Sequence, residues 1–209
     1  EDMGEKLDAE SRESLEHIVD GASRLEKLIK SVIDYSALST KEIKEEQVYL
    51  GSILTQVMQD LSQQIKDSAA QIEISPNLPT VLGEPLRIYQ ALSNLIGNAI
   101  KYRSPERTPR ISISVRSHSL DLVIIDVKDN GLGIPANKLS DIFRPYQRVH
   151  TNIEGSGIGL ASVKKIADRL GGSVGVTSTE GKGSTFSLAL RLPSEDNLRE
   201  PLIHAQGAQ

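Results

Sequence analysis

The sequence predicts an α+β chain in two parts. A helical-bundle segment comes first, then an α/β sandwich whose mixed sheet is covered on one face by three helices. Three observations carry this. Residues 8–38 hold no proline and repeat apolar residues at alternating threes and fours. Short alternating or continuous apolar runs follow, bounded by Gly, Pro, Asn and Ser. Between those runs lie stretches with helical apolar spacing, 85–101 and 158–170 among them.

In the first part Leu15, Ile18, Ala22, Leu25, Ile29 and Val32 form an a/d heptad seam. Glu16, Arg24, Glu26, Lys27 and Lys30 occupy the other faces. A lone helix of this kind has nothing to bury its stripe against, so it asks for partner helices, as in a homodimeric four-helix bundle. The alternative is packing on the chain's own globular part. The polar run "STKEIKEEQ" (39–47) reads as a linker. The expected division is a helical segment over 1–40, a linker over 41–46, a globular domain over 47–192 and a loose polar tail over 193–209.

The globular part reads element by element. "QVYLGS" is a short strand, and Ile53, Val57, Leu61 and Ile65 mark one helix. "QIEIS" and "TVLGE" are short strands. Pro85 after Glu84 suits the first helical position and opens a helix to about Lys101. "RISISVRS" alternates as a half-buried strand, and "LDLVIIDVKD", apolar on both faces, is a central one, with "HSLD" as the turn between them. After a loop-rich stretch, 129–157, a helix runs from Ile158 to Leu170 and stops at Gly171-Gly172. "SVGVTS" and "STFSLALRL" close the domain as a hairpin, with Phe186, Leu188, Leu190 and Leu192 on one face.

Composition excludes several functions. With Lys+Arg 24 against Asp+Glu 28 the net charge is −4, so no basic field exists to hold nucleic acid. There is no cysteine, which removes disulfides, thiolate zinc sites and a cysteine nucleophile. No apolar run approaches a membrane span and no signal peptide is visible, so a cytoplasmic protein is expected.

Four motifs in order carry the chemistry. In "NLIGNAIKY" Asn94, Asn98 and Lys101 share one helical face; an amide oxygen suits Mg²⁺ and a lysine suits phosphate. In "DNGLGI" a carboxylate, Asp129, ends the central strand where it can accept from an exocyclic amine, and glycines let the backbone pass close to a flat base. "FRPYQRVH" (143–150) is the third. The fourth, "IEGSGIGL", alternates Gly155, Gly157 and Gly159 just before a helix, whose N-terminus attracts anions. A dinucleotide fingerprint fails here, because Leu160 takes the sixth position and no strand precedes it. "EGKGST" lacks the upstream glycine of a Walker A loop and reads as a hairpin turn. Singly, Asn98 could be a helix cap and Asp129-Asn130-Gly131 a turn; together, on these elements, the four are not accidental.

With these motifs residues 46–192 resemble the catalytic, ATP-binding domain of sensor histidine kinases, within the GHKL (Bergerat-fold) superfamily of gyrase-, Hsp90- and MutL-type ATPases. The heptad helix resembles the second helix of their dimerisation and histidine-phosphotransfer domain. "FRPYQRVHT" with "NLIGNAIKYRSP" looks most like phytochrome-type and related soluble sensors. The resemblance implies ATP and Mg²⁺ as ligands. Asn98 would be the Mg²⁺ ligand, with Asn94 beside it. Lys101 would neutralise phosphate and Tyr102 would flank the base. Asp129 would read the adenine amino group, with Gly131, Gly133 and Ile134 lining its pocket. Arg148 would approach the terminal phosphate. Gly155, Gly157, Ile158, Gly159 and Leu160 would form the hinge of an ATP lid and the phosphate-facing helix N-terminus, and Thr185 would also contact the nucleotide. It further implies a receiver domain of a response regulator as partner in a phosphorelay, a homodimer, and an upstream sensor domain in the intact chain.

In the hydrolytic relatives the first polar residue of the Asn-bearing helix is a glutamate that activates water. Here it is Asn94, and an amide is a poor general base. The resemblance breaks in two places. The family's acceptor string, His then Glu or Asp, Leu, a basic residue, any residue and Pro, does not occur. His17 is expected as a partly exposed helix residue, His118 in a hairpin turn and His204 in the tail; His150 borders the lid, where surface placement is expected and contact with nucleotide is the alternative. "EDMGEKLD" resembles the end of the first bundle helix, which places the acceptor upstream of Glu1. Only Val149 to Glu154 separate Arg148 from Gly155, a short lid. The expected function is thus a histidine kinase core. A pseudokinase scaffold that dimerises and binds a regulator without phosphoryl transfer is the alternative, and a GHL-type ATPase a third reading.

Overall fold

A computed structural model describes residues 8–40, 44–117, 121–150, 153 and 155–193. Residues 118–120 of the expected turn with His118, residues 41–43 of the linker, part of the lid, and the tail from 194 with His204 lie outside the described residues. The chain separates into two compact units, Glu1–Lys41 and Glu42–Gln209.

The first unit is one helix, α1 (Ala9–Thr40). Asp8 Oδ1 caps it by accepting the Ser11 backbone N–H at 2.8 Å. Its heptad stripe is open: Ile18 is 66% exposed, Leu25 61% and Ile29 59%. His17 is exposed too, 3.8 Å from Glu13.

In the second unit β1 (Glu46–Tyr49) is shorter than "QVYLGS" suggests. Leu50 turns inward, fully buried, and begins α2 (Leu50–Asp60) with Ile53, Leu54 and Val57 on its buried face. A second helix, α3 (Ser62–Ser68), follows, so the expected single helix is broken at Leu61. The break leaves the hydrogen bonds Leu61 N–H to Val57 O and Ile65 N–H to Leu61 O in place. The apolar spacing therefore carries across it unchanged, which is why the sequence pattern does not reveal it.

Strands β2 (Gln71–Ile74) and β3 (Thr80–Gly83) precede α4 (Pro85–Lys101), which begins at proline as expected. Then come β4 (Arg110–Ser117), β5 (Leu122–Asp129), a short 3₁₀ turn at Ala136–Lys138, α5 (Gly159–Arg169), β6 (Ser173–Thr179) and β7 (Gly183–Arg191). The strands form one seven-stranded mixed sheet in the order β1-β3-β7-β5-β4-β2, with β6 also paired to β7. Among the described strands only β2 and β4 pair in parallel. Central β5 lies between β4 and β7, as its apolar run predicts.

The core lies between helices and sheet. Leu54, Ile88, Leu92, Leu95, Ile96 and Ile166 from the helices, and Ile111, Ile113, Ile125 and Leu188 from the strands, are essentially inaccessible. Each such side chain contributes about 1.5–3 kcal/mol by leaving water. Packing α4 on β4 and β5 fixes the end of α4 beside the end of β5. Both ends carry the motifs.

Candidate functional site

The site forms where β5 ends against the last turn of α4, the start of α5 and the β6–β7 hairpin. Asp129 is the last residue of β5. Its Oδ1 accepts two backbone N–H groups, from Gly131 at 2.8 Å and Ser184 at 3.2 Å. Burial raises its pKa above the ordinary 3.8, and these two bonds pull it back. Both bonds use one oxygen. Asp129 lines a cleft.

The rest of that cleft is largely apolar, with Ile134, Ile142, Leu160 and Phe186 in its wall. Phe143 meets Phe186 edge to face, centroids 6.5 Å apart, and stiffens that side. Tyr102, at the C-terminus of α4, forms the opposite side. Its hydroxyl pKa is raised by burial, with Arg148 pulling it down. His150 closes the mouth: its ring lies 5.8 Å from that of Tyr102, and Nε2 is 3.1 Å from the Gly133 carbonyl oxygen. Gly133 itself has φ 68, and a Cβ there would drive into the Thr179 backbone, so only glycine fits.

Asn98 lies in the wall of this cleft and also of a polar groove that Asn94 and Lys101 share. Asn94 Nδ2 donates to the Gln90 carbonyl at 2.9 Å. Its Oδ1 sits against Gly159 at the start of α5, 2.8 Å from where a Cβ would stand. Lys101 Nζ is 5.1 Å from the Tyr102 ring centroid and lies against Gly155. Among the described residues no side chain caps α5; Ser156 Oγ accepts the Ile158 N–H, at 3.2 Å. Free first-turn N–H groups and the helix dipole attract an anion there.

An apolar cleft with one carboxyl at its floor takes a flat base bearing an amine. The adjoining groove carries Lys101, Arg103 and the amides of Gln64, Asn94 and Asn98, with Asp67 also in its wall. The N-terminus of α5 lies beside Asn94, and its dipole with the two cations suits a polyanion. No group of three or more His, Asp or Glu side chains able to hold a metal occurs among the described residues. Asn98 offers a hard amide oxygen, which suits Mg²⁺ when phosphates and water complete its shell.

The family described as "Histidine kinase-, DNA gyrase B-, and HSP90-like ATPase" matches residues 83–194, more than half of the chain. The chain belongs to this family. Curated relatives of this histidine kinase-like chain are phytochrome-type and other sensor histidine kinases. It is 34% identical to cyanobacterial phytochrome B of Nostoc sp., over 91% of this chain and 26% of that protein. It is 31% identical to the aerobic respiration control sensor protein ArcB of Escherichia coli, over 90% of this chain and 25% of that protein. The chain thus spans about a quarter of the length of these relatives. Among solved structures it resembles full-length ShkA, crystallised in complex with AMPPNP, with TM-score 0.73 and 27% identity, over 90% of this chain and 41% of that one. The mixed sheet with its helices is the fold of these kinase-like ATPase domains.

Of the residues expected from the sequence of this family member, Asn98, Tyr102, Asp129, Gly133, Ile134, Arg148 and Leu160 line the cleft. Asn94 and Lys101 line the groove. Gly131 lies directly beneath the Tyr102 carbonyl. Gly157 O accepts the Tyr146 N–H at 2.9 Å, which ties the loop before α5 to the "FRPYQR" turn. Arg148 donates to the Ile153 carbonyl at 2.7 Å. Ser184 and Phe186 are in the cleft wall, and strand alternation turns Thr185 between them to the other face. His150, beside the lid, is half-buried and part of the cleft wall, which fits the alternative of nucleotide contact better than full surface placement. Among the described residues no helix is long and apolar enough to cross a membrane.

Proposed function

We infer that the chain is the core of a two-component sensor histidine kinase that binds Mg-ATP and passes its terminal phosphoryl group to a protein histidine. The observation that carries this is Asp129. One of its oxygens is committed to two backbone donors while the residue lines a largely apolar cleft. In this reading the other oxygen accepts the adenine amino group, and Tyr102 and Ile134 flank the ring. The phosphates lie over Asn98, Lys101 and the N-terminus of α5, with Arg148 approaching the last of them. Mg²⁺, held by Asn98 and the phosphates, would offset charge on the transferring group. The chain's own work is positioning and charge stabilisation.

Asn94 supports transfer to a protein over hydrolysis. Its amide nitrogen is occupied by Gln90, and its oxygen faces Gly159. An amide takes no proton from water at neutral pH. The acceptor is a histidine on a segment preceding α1, and the phosphoryl group then passes to an aspartate of a receiver domain. The exposed stripe of α1 supports a homodimer through a helical bundle. A cytoplasmic protein with a sensor domain upstream completes the reading.

Titration calorimetry with Mg-ATP tests it. One saturable site is expected in the wild type, and at least a hundredfold weaker binding in Asp129→Asn, in which an amide N–H₂ faces the adenine amine. Equal binding by the two would overturn the assignment.

A further inference from the structure

Outside the lining of the base cleft, the loop after β5 is gripped by residues to which the functional reading gives no role. Arg107, in the loop between α4 and β4, places one guanidinium nitrogen, Nη2, between two carbonyl oxygens. It is 3.1 Å from Gly131 O and 2.7 Å from Gly181 O. These acceptors are 24 and 74 residues away along the chain. They belong to the two loops that supply Asp129 with its hydrogen bonds: Gly131 donates from its own N–H, and Ser184 lies just past the turn that holds Gly181.

The neighbouring bonds make this a clasp with three parts. Gly181 N–H donates to Leu132 O at 2.7 Å, and Leu132 N–H to Tyr102 O at 2.9 Å. Asn130 uses both ends of its amide on the α4–β4 loop, donating to Thr108 O at 3.0 Å and accepting Arg110 N–H at 2.8 Å. Ser178 Oγ accepts Ile134 N–H at 2.9 Å from the hairpin side. Ser178 also links the two loops, its hydroxyl donating to Gly183 O at 2.9 Å; Arg107 is the side chain that ties Gly131 itself to the turn at Gly181. It is also the one charged donor, so its bonds are the stronger kind.

We propose that Arg107 is a positioning residue of the base pocket: by joining the loop after β5 to the β6–β7 turn, it holds the two N–H groups that aim the Asp129 carboxylate at the adenine amine. It does not touch nucleotide. The proposal rests on the nucleotide reading above and adds to it the element that sets the pocket's geometry. Without Arg107 the turn at Gly181 keeps its bond to Leu132, so the fold persists, while the spacing between Gly131 and Ser184 loosens.

The test uses Arg107→Ala and Arg107→Gln in the whole chain. It combines Mg-ATP titration with residue-resolved amide exchange on the nucleotide-free protein. Loss of a charged donor shared by two carbonyls predicts roughly tenfold weaker ATP binding. Exchange should quicken at the Gly131 and Ser184 amides and stay unchanged at Ile113 and Ile125 in the strands. If Arg107→Ala does not fold, Arg107→Gln is read in the same way. ATP affinity within twofold of wild type, or exchange quickened equally in the strands, would overturn the proposal. A wild-type chain that binds no ATP would instead overturn the nucleotide reading, and the exchange comparison would still decide the clasp.

Discussion

His150 Nε2 lies 3.1 Å from the carbonyl oxygen of Gly133, so the first residues of the lid are fastened to the loop that floors the base cleft. The same ring leans on Tyr102, centroids 5.8 Å apart and planes at 40°. One side chain thus joins three walls of the cleft. Replacing it by alanine removes a hydrogen bond and an aromatic contact, each of about 1 kcal/mol. His150→Ala should therefore weaken Mg-ATP binding about 5- to 30-fold by calorimetry, and His150→Phe, which keeps the ring, should recover part of that. Unchanged affinity in the alanine variant would place the ring outside the bound nucleotide's surroundings.

Asp129 predicts a trade between stability and binding. Burial raises its pKa, more than the N–H bonds from Gly131 and Ser184 lower it. The folded state therefore disfavours the charge relative to the unfolded chain, and this penalty is present above the folded pKa. It fades as the pH falls through that pKa and is gone below the ordinary 3.8, where both states are protonated. Asp129→Asn keeps an oxygen for the two N–H donors and carries no charge. Without nucleotide its melting temperature at neutral pH should equal or exceed that of the wild type, and the gain should vanish in acid. A variant less stable at neutral pH would show that the charge itself holds the loop.

The open stripe of α1 predicts self-association. Ile18 and Ile29 are 66% and 59% exposed in the single chain, and both lie on the heptad seam. Sedimentation should find a dimer, and Ile18→Glu with Ile29→Glu should give monomers that bind ATP with unchanged affinity. A wild-type chain that sediments as a monomer would contradict the bundle.

The parts legible in the sequence are those governed by local periodicity and by residues with one conformational habit. Pro85 marked the first turn of α4, alternation marked β4, and an unbroken apolar run marked β5 as central. Asp129, Asn98 and Lys101 stand at element ends that the motifs themselves locate. What stayed hidden depends on long-range closure. The interruption at Leu61 keeps the apolar spacing on both sides. Whether Ser184 or Thr185 faces the cleft is a matter of one-residue register, which flips a strand's faces. His150 and Arg107 act through carbonyl oxygens distant in sequence, and a carbonyl leaves no trace in residue identity.

The central claim is that the terminal phosphoryl group of ATP goes to a histidine and not to water. The most direct measurement incubates the intact protein containing this chain with Mg²⁺ and γ-labelled ATP, then follows label on protein and in free phosphate. The account predicts protein-bound label that is labile in acid and stable in base, little free phosphate, and loss of the label in Asp129→Asn. Steady release of free phosphate with none on the protein would contradict it.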